Sequence, residues 1–359
     1  MRNILAFSVG CLFAFLLLET FLHFYQPFPV QVKQGGIVLP ANRAFTFENT
    51  HIGKLDPFIV CTKNKLGFRG EERPAGFDEF ISLVAVGGST TECRLLNDGH
   101  DWPGLLAEAL HRGFPGKKTW VNNAGLDGHS TFGHLILLEN YLCQMHPDYI
   151  LYLTGINEMD RDDLFSDDQA IVRSHSFSLT DWLKKNCETI VLANMLYRNI
   201  KARQLDLGHG NLDLAKLKIP AVRPGQIDSL FDAHRPYIAA YSQRLKSLVG
   251  KTKACGSSPI LMTQPLLFGE GKDPLTGVDL EKSAAKFFNG ATYWCLLEQY
   301  NDATREAALQ TGVPLIDLAR WMPKNSAYFY DAMHFTNEGA AVVSKIVQEE
   351  LVKIWELKR

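Results

Sequence analysis

Short apolar runs alternate with amphipathic segments along the chain after residue 80. Apolar runs bounded by polar residues or glycine are typical of buried strands, whereas apolar residues recurring about every three to four positions are typical of helices. The sequence predicts strands at Ile81–Val86, Thr119–Val121, Tyr149–Leu153, Pro259–Met262 and Val313–Ile316. It predicts helices at Trp102–Arg112, Phe132–Met145, Ile238–Val249, Tyr293–Leu309 and Asn337–Trp355. This alternation favours βαβ units, so we expect an α/β fold: a three-layer α/β/α sandwich around a five-stranded parallel sheet.

The first residues form a separate apolar segment. Ile4–Leu18 carries no charge, and the apolar character continues past Glu19 to Tyr25. The segment is long enough to cross roughly 30 Å of hydrocarbon at about 1.5 Å per residue, so it predicts a single transmembrane anchor within residues 1–26. Because Arg2 is the charge on the short side, we expect the rest of the chain to be extracytoplasmic, as in the periplasm. The alternative is a cleaved signal peptide, although no small-residue cleavage site follows the run.

The remainder divides into two parts. Residues 27–80, with Gly35–Gly36 and several prolines, are predicted to be an irregular linker or accessory segment. Residues 81–357 are predicted to form the main domain, with an insertion at about 160–235 that includes a helix around Leu179–Arg203. Two interpretations of the insertion stay open: a cover over the carboxyl edge of the sheet, or an accessory helix without contact to a ligand.

Composition narrows the class of protein. The 359 residues are 46% hydrophobic and 21% charged, which is typical of a globular protein and excludes a disordered chain. A net charge of −2 gives no basic surface for a dedicated nucleic-acid binder. The 7 cysteines include no CxxC pair, which argues against a zinc ribbon, and their odd number leaves at least one unpaired within the chain.

Small and polar residues follow every predicted strand. In open parallel sheets, ligands bind beyond the carboxyl ends of the strands, so these segments are expected to converge on one rim. They are Gly87–Glu92, Asn122–Ser130, Thr154–Glu158, Thr263–Pro265 and, across a loop, Asp331–His334.

Each of these segments also has a structural interpretation. Ser89 after two glycines is compatible with a plain tight turn, and Asn157 with a helix cap. Asp331 and His334 are compatible with a surface pair or half of a metal site, but no second His/Asp cluster is evident in the sequence.

Together the segments meet the needs of acyl transfer. A serine hydroxyl is a weak nucleophile without a base, and His334 would act as that base for Ser89. Asp331 would orient the imidazole and stabilise its protonated form. The backbone N–H groups of Ser89 and Gly128 and the side-chain amide of Asn157 would bind the developing oxyanion.

This order of segments resembles the SGNH (GDSL-type) hydrolase family, in a membrane-anchored bacterial-type form. The resemblance rests on Val84–Ser89, Asn123–Gly128, Gly155–Glu158 and Asp331–His334, and it covers about residues 80–350 apart from the insertion. It implies a flavodoxin-like strand order. Two positions depart from the family pattern: Gly88 stands where an aspartate usually precedes the serine, and Glu158 where an aspartate usually follows the asparagine.

The predicted function is a serine esterase that hydrolyses O-acyl, in particular acetyl, esters through a Ser-His-Asp triad and an acyl-enzyme. No metal or organic cofactor is expected. The predicted partners are an ester of a small molecule, glycan or lipid, and the membrane through the N-terminal helix; no nucleic acid is expected. Two alternatives stay open: an O-acetyltransferase acting on a cell-surface glycan, and a non-catalytic surface binding or assembly protein that keeps the fold.

Overall fold

The chain forms two compact units: residues 1–40 with 165–208, and residues 41–164 with 209–359. The structure is a computed structural model. It describes residues 2–24, 32–33, 36–114, 116–159, 187–190, 192–193, 196, 209–217, 224–285 and 288–356. Residues 160–186 of the proposed insertion, and with them most of the predicted helix around Leu179–Arg203, lie outside the described residues.

The first unit contains the predicted apolar helix. Helix α1 spans Arg2–Phe24, and strands β1 (Val32–Lys33) and β2 (Gly36–Ile37) pair antiparallel. The part of α1 from Ala6 to Phe24 is long and apolar enough to cross a membrane, a test that a signal sequence also passes. Apolar side chains such as Phe7 are exposed along the helix.

The second unit is built on a parallel sheet. Its strands, in chain order, are β3 (Arg43–Glu48), β4 (Phe58–Lys63), β5 (Ile81–Gly87), β6 (Thr119–Asn123), β7 (Tyr149–Leu153), β8 (Ser258–Met262), β9 (Ala284–Ala285), β10 (Phe288–Asn289) and β11 (Leu315–Ile316). Five of them form one sheet in the order β11-β8-β7-β5-β6, and every pair in it is parallel. The first strand of this sheet, β5, lies between the second (β6) and the third (β7), which confirms the flavodoxin-like order that the resemblance implied.

Helices cover the sheet on both sides. They are α2 (Ser89–Glu92), α3 (Trp102–Gly113), α4 (Thr131–Leu137), α5 (Cys143–Met145), α6 (Pro224–Ala254), α7 (Gly290–Thr311), α8 (Leu318–Trp321) and α9 (Asn337–Glu356). Helix α3 packs against α9, and α6 packs against α7. Strands β5 and β7 are buried along almost their whole length, as strands covered on both faces must be. The predicted three-layer α/β/α sandwich is confirmed.

The spacing of apolar residues along the helices explains how these layers pack. In α3, Trp102, Leu106 and Leu110 recur every four positions and are all buried. Pro103 lies in the first turn, where its missing N–H is not needed. Burying one large apolar side chain stabilises the fold by about 1.5–3 kcal/mol. The apolar stripes that the sequence pattern predicted are therefore the faces that hold the layers together.

Two elements differ from the sequence prediction. Strands β3 and β4 form an antiparallel hairpin inside the segment predicted to be irregular, because Ile59, Cys61 and Lys63 alternate with exposed residues and bury one face of β4. Helix α6 begins at Pro224, well before the predicted start at Ile238, so part of the proposed insertion is continuous with a helix of the sandwich.

Candidate active site

Ser89 lies just beyond the carboxyl end of β5, an internal strand of the sheet. Strand β5 ends at Gly87, and Ser89 is the first residue of α2. The serine is buried, with 7% of its surface exposed. A nucleophile held at a strand-to-helix turn has its backbone fixed on both sides, so its hydroxyl points in a defined direction.

Two hydrogen bonds join Ser89 to His334 and Asp331. The Oγ of Ser89 lies 2.7 Å from Nε2 of His334, and Nδ1 of the same ring lies 2.6 Å from Oδ2 of Asp331. The serine and the histidine are separated by 245 residues, so the fold, not local sequence, brings them together. All three predicted residues therefore meet at one point.

The carboxylate of Asp331 is held by its own loop. Its Oδ1 accepts the backbone N–H groups of Met333 at 2.9 Å and of His334 at 2.8 Å. Burial raises the pKa of Asp331, but its interaction with the His334 ring and these two backbone hydrogen bonds more than offset it, so the pKa lies below its ordinary value of 3.8. The carboxyl group is thus ionised where it faces the imidazole.

Asn157 lies beside the nucleophile turn. It belongs to the short 3-10 helix Ile156–Glu158 after β7, and its Nδ2 donates a hydrogen bond of 2.8 Å to the carbonyl of His129. The same nitrogen lies 2.1 Å from the point that a Cβ on Gly88 would occupy. The side-chain amide is therefore packed directly against the residue that precedes Ser89.

Gly128 lies in the loop after β6, which runs along the end of β5 and α2. The N–H of Leu126 donates to Gly87 at 3.1 Å, and a Cβ at Gly125 would lie only 2.3 Å from the nitrogen of Glu92. Gly128 has φ 72°, a conformation that favours glycine. Within the described part of the chain, the backbone N–H groups of Ser89 and Gly128 donate no hydrogen bond, so both are free to bind an anion.

Glu158 connects two of the loops that carry predicted site residues. Its Oε1 accepts hydrogen bonds from the N–H of Thr131 at 2.6 Å and from the Thr131 hydroxyl at 2.8 Å. Its Oε2 lies 2.7 Å from Nη2 of Arg244; Glu158 is buried and Arg244 is partly exposed. A carboxylate at the first turn of α4 is stabilised by the helix dipole, so Glu158 fixes the loop of Asn157 against the helix that follows Gly128.

A second buried carboxylate connects α2 to the Gly128 loop. Oε2 of Glu92 accepts the N–H of Asp127 at 2.8 Å, and Oε1 lies 2.9 Å from Nζ of Lys63 on β4. Arg69, also buried, donates to the carbonyls of Glu92 and Cys93 at the end of α2. None of these charged residues is among the predicted site residues, because their roles depend on contacts between segments far apart in the chain.

His334 has two further neighbours. Its ring is stacked on Tyr330, with ring centroids 5.4 Å apart and an angle of 9° between the planes. The ring of His209 lies on it as well, with a centroid distance of 4.3 Å. His209 lies outside every strand-end segment, so nothing in the strand pattern indicated that it would reach the site.

The same cluster has the residue types of a metal site. His209, Asp331 and His334 offer ligand atoms that all lie within 4.8 Å of one another. A second histidine–aspartate cluster was not evident from the sequence, and His209 supplies the group that was missing. Both nitrogens of His334 already face Ser89 and Asp331, which is the arrangement that proton transfer requires.

A sequence profile of the GDSL-like lipase/acylhydrolase family matches residues 85–342. The match includes the last three of the four segments on which the sequence resemblance rests, and all of the first except Val84. The chain belongs to this family. GDSL-like lipase/acylhydrolases act on esters, and the protein is accordingly a carboxylic ester hydrolase. No curated protein matches the chain in sequence.

Solved structures of similar arrangement include an acetylxylan esterase and an alpha/beta hydrolase. Axe2, an acetylxylan esterase from Geobacillus stearothermophilus, is 16% identical with a TM-score of 0.43, and the match covers 75% of this chain and 92% of that one. LAE5, an alpha/beta hydrolase from the metagenome of Lake Arreo, is 16% identical with a TM-score of 0.42, and the match covers 76% and 95% of the two chains.

Proposed function

We propose that this GDSL-like hydrolase cleaves O-acyl esters, in particular acetyl esters, through a Ser89–His334–Asp331 triad. The single observation that carries the proposal is the continuous chain of two hydrogen bonds from the Ser89 hydroxyl through the His334 ring to the Asp331 carboxylate. In this geometry a proton leaving Oγ passes directly to Nε2, while the charged carboxylate stabilises the imidazolium that forms.

The reaction has two halves. Ser89 Oγ attacks the ester carbonyl carbon, and its proton passes to His334 Nε2. Collapse of the tetrahedral intermediate breaks the bond to the alcohol, which leaves with that proton and gives an acyl-serine. Water then attacks the acyl carbon as His334 takes one of its protons, and the serine oxygen leaves with the proton. Protons and electron pairs balance without a metal or organic cofactor.

The oxyanion of each intermediate needs preorganised donors. The free N–H groups of Ser89 and Gly128 and the Nδ2 group of Asn157 are the donors we assign. Asn157 Nδ2 uses one of its two hydrogens on His129, which fixes the amide and leaves the other for the oxyanion. A single donor of this kind lowers the activation barrier by about 3 kcal/mol.

We infer that α1 is a retained anchor rather than a cleaved signal. Within the first unit, the Glu19 carboxylate near the end of α1 accepts hydrogen bonds from the backbone of Glu188 and from both the N–H and the hydroxyl of Thr189. A carboxylate in an apolar helix is unfavourable unless it is satisfied, and here it caps a helical turn that begins at residue 188. Cleavage after α1 would remove this cap, so the contact supports a single-pass membrane protein.

The disulfide supports an extracytoplasmic site for the catalytic unit. Cys143 and Cys255 are bonded, with their Cα atoms 5.1 Å apart. Disulfides persist in oxidising compartments such as the periplasm and are rare in reducing cytoplasm. This agrees with the orientation that Arg2 favours. The substrate we propose is therefore an ester of a small molecule, a glycan or a lipid that is accessible outside the cytoplasm.

The experiment is a comparison of ester hydrolysis by full-length protein in detergent and by Ser89→Ala and His334→Ala variants, with p-nitrophenyl acetate as substrate. Ser229→Ala is the matched control, because within the described residues the hydrogen bond of this exposed serine goes to a carbonyl of its own helix, at 3.0 Å. We expect turnover by the wild type and the control, and near-complete loss in the two site variants. Equal activity of Ser89→Ala and wild type would remove Ser89 from the mechanism.

The same assay separates the two alternatives. An acyltransferase would transfer the acyl group to an added sugar acceptor in preference to water, so acceptor would lower the yield of free acetate. A binding protein that only keeps the fold would show no turnover above the Ser89→Ala background. We expect free acetate as the product and a yield that added sugar does not change.

A further inference from the structure

His209, the second histidine at the site, has a polar contact at each of its two ring nitrogens. Nδ1 of His209 lies 2.6 Å from the hydroxyl of Tyr330, and its Nε2 lies 3.4 Å from Oδ2 of Asp127. Its side chain is 14% exposed. If the Tyr330 hydroxyl donates to Nδ1, the ring proton is on Nε2 and faces the Asp127 carboxylate. Both nitrogens of a neutral His209 ring are then satisfied.

His209 therefore bridges the two loops on which the proposed reaction depends. Tyr330 directly precedes Asp331 and stacks on the His334 ring, while Asp127 directly precedes Gly128. The His209 ring itself lies on His334, at a centroid distance of 4.3 Å. One side chain thus fixes the plane of the base and the position of the loop that supplies an oxyanion donor.

We propose that His209 is a positioning residue that, with Asp127, forms a second imidazole–carboxylate pair and holds His334 for proton transfer. This inference rests on the proposed function, because it assigns His209 a role that acts through the base of that reaction. Among the described residues, the polar contacts of the His209 ring go to Tyr330 and Asp127, whereas Ser89 bonds to His334, so His209 does not replace a member of the triad.

The charges around His334 give the pair an electrostatic effect. The polar and titratable groups that face the ring are those of Ser89, Asp331, Tyr330 and His209. Asp127 lies behind His209, and Nη2 of Arg94 lies 3.6 Å from Oδ2 of Asp127. Burial raises the pKa of Asp127, but the hydrogen bond from His209 and the positive charge of Arg94 more than offset it, so the pKa lies below its ordinary value of 3.8. A second negative charge near His334 stabilises the imidazolium that forms in the transition state.

The test measures kcat, KM and the pH dependence of kcat/KM for p-nitrophenyl acetate with full-length His209→Ala, His209→Gln and Asp127→Asn. A misplaced base slows the reaction without weakening substrate binding, so we expect kcat to fall by about ten- to a hundredfold while KM changes little. In Asp127→Asn the acid limb of the profile moves to lower pH, because losing the negative charge makes protonated His334 less stable.

Matched controls separate positioning from general damage. His234→Ala removes a comparable contact, since Nδ1 of His234 lies 2.9 Å from the hydroxyl of Tyr300 away from the triad. Asp232→Asn removes an exposed carboxylate paired with Arg235. We expect both to keep the wild-type profile. Tyr330→Phe, which keeps the stacked ring and removes only the hydroxyl, should lower kcat in the same direction as His209→Gln and thus tests the bridge even where His209→Ala folds poorly.

Two results would overturn the role of His209, and a separate result would overturn the proposed function. Wild-type kcat in His209→Gln and Tyr330→Phe would remove the positioning role. An acid limb that does not move in Asp127→Asn would show that the pair is structural. Ser89→Ala is assayed in parallel: if it is as active as wild type, the proposed function itself fails, whereas an inactive Ser89→Ala with an unaffected His209→Gln refutes only the role of His209.

Discussion

Nδ2 of Asn157 lies 2.1 Å from the point that a Cβ on Gly88 would occupy, closer than any side chain could tolerate. Any other residue at position 88, including the usual aspartate of the family motif, therefore requires the Asn157 amide to shift. In the position that it occupies here, the amide fits against the backbone of the nucleophile turn because residue 88 has no Cβ. The departure from the motif is thus an adjustment of packing beside Ser89, and it leaves the triad geometry intact.

Gly88→Ala should therefore abolish most of the activity. The added methyl group displaces Asn157, so we expect kcat to fall at least as far as in Asn157→Ala, by about a hundredfold or more. The double variant Gly88→Ala/Asn157→Ala is the informative control, because it relieves the clash. Its kcat should equal that of Asn157→Ala. A double variant much slower than Asn157→Ala would place the damage elsewhere in the turn.

The buried pair between Lys63 and Glu92 should be important for stability. The two side chains are 1% and 8% exposed, with Nζ 2.9 Å from Oε1. Lys63→Met leaves a buried carboxylate without its partner, and we expect the free energy of unfolding to fall by about 3–5 kcal/mol in urea titrations. Lys216→Met, which breaks an exposed pair with Asp213, is the control and should unfold at the wild-type midpoint.

Replacing both partners separates stability from activity. Lys63→Met/Glu92→Leu removes both buried charges, so much of the lost stability should return. The N–H of Asp127 then loses its acceptor, and we expect kcat to stay low because the Gly128 loop is no longer fixed. Full activity in the double variant would contradict the role we give to Glu92.

Asp331→Asn should affect both rate and pH dependence. Without the carboxylate, the imidazole loses its orientation and its compensating charge, and kcat is expected to fall by about 10⁴-fold. Because the pKa of Asp331 is lowered in the folded state, the ionised group stabilises the fold above its ordinary pKa of 3.8. That stabilisation is lost as the pH falls through the lowered value.

Urea unfolding at several pH values checks the direction of this pH dependence of stability. Wild type should exceed Asp331→Asn in stability at about pH 7, and the difference should shrink towards about pH 3. A difference that grows on acidification would contradict the ionised state that we assign to Asp331.

Chelation tests whether the histidine–aspartate cluster works with a metal. His209, Asp331 and His334 have suitable ligand atoms, but the proposed steps use Asp331 and His334 for proton transfer. We expect prolonged dialysis against EDTA to leave kcat for p-nitrophenyl acetate unchanged. Loss of activity that added Zn²⁺ restores would instead assign the cluster to metal binding and remove the cofactor-free mechanism.

Much of the fold was predictable because buried parallel strands have a simple signature. Each predicted strand is a short apolar run, and four of the predicted site segments follow their strands directly, so topology alone brings Ser89, Gly128 and Asn157 to one rim. The hairpin of β3 and β4 was missed because its exposed face carries apolar residues such as Phe58, which obscure the alternation that marks a strand.

The supporting charges of the site could not be predicted in the same way. Lys63, Arg69 and Glu92 are fully or nearly buried, whereas charged residues are ordinarily assigned to the surface. Their burial depends on partners in other segments, as with Lys63 and Glu92. His209 reaches the site from a segment without strand or helix periodicity, so only the three-dimensional structure connects it to His334.

The most direct test of the central claim is covalent labelling of the full-length protein with a fluorophosphonate, followed by mass spectrometry of its peptides. Phosphonylation requires an activated serine hydroxyl, and here the base that activates it is 2.7 Å away. The account predicts a single adduct, on Ser89, that disappears in Ser89→Ala and is strongly reduced in His334→Ala. An adduct on another residue, or undiminished labelling in His334→Ala, would contradict it.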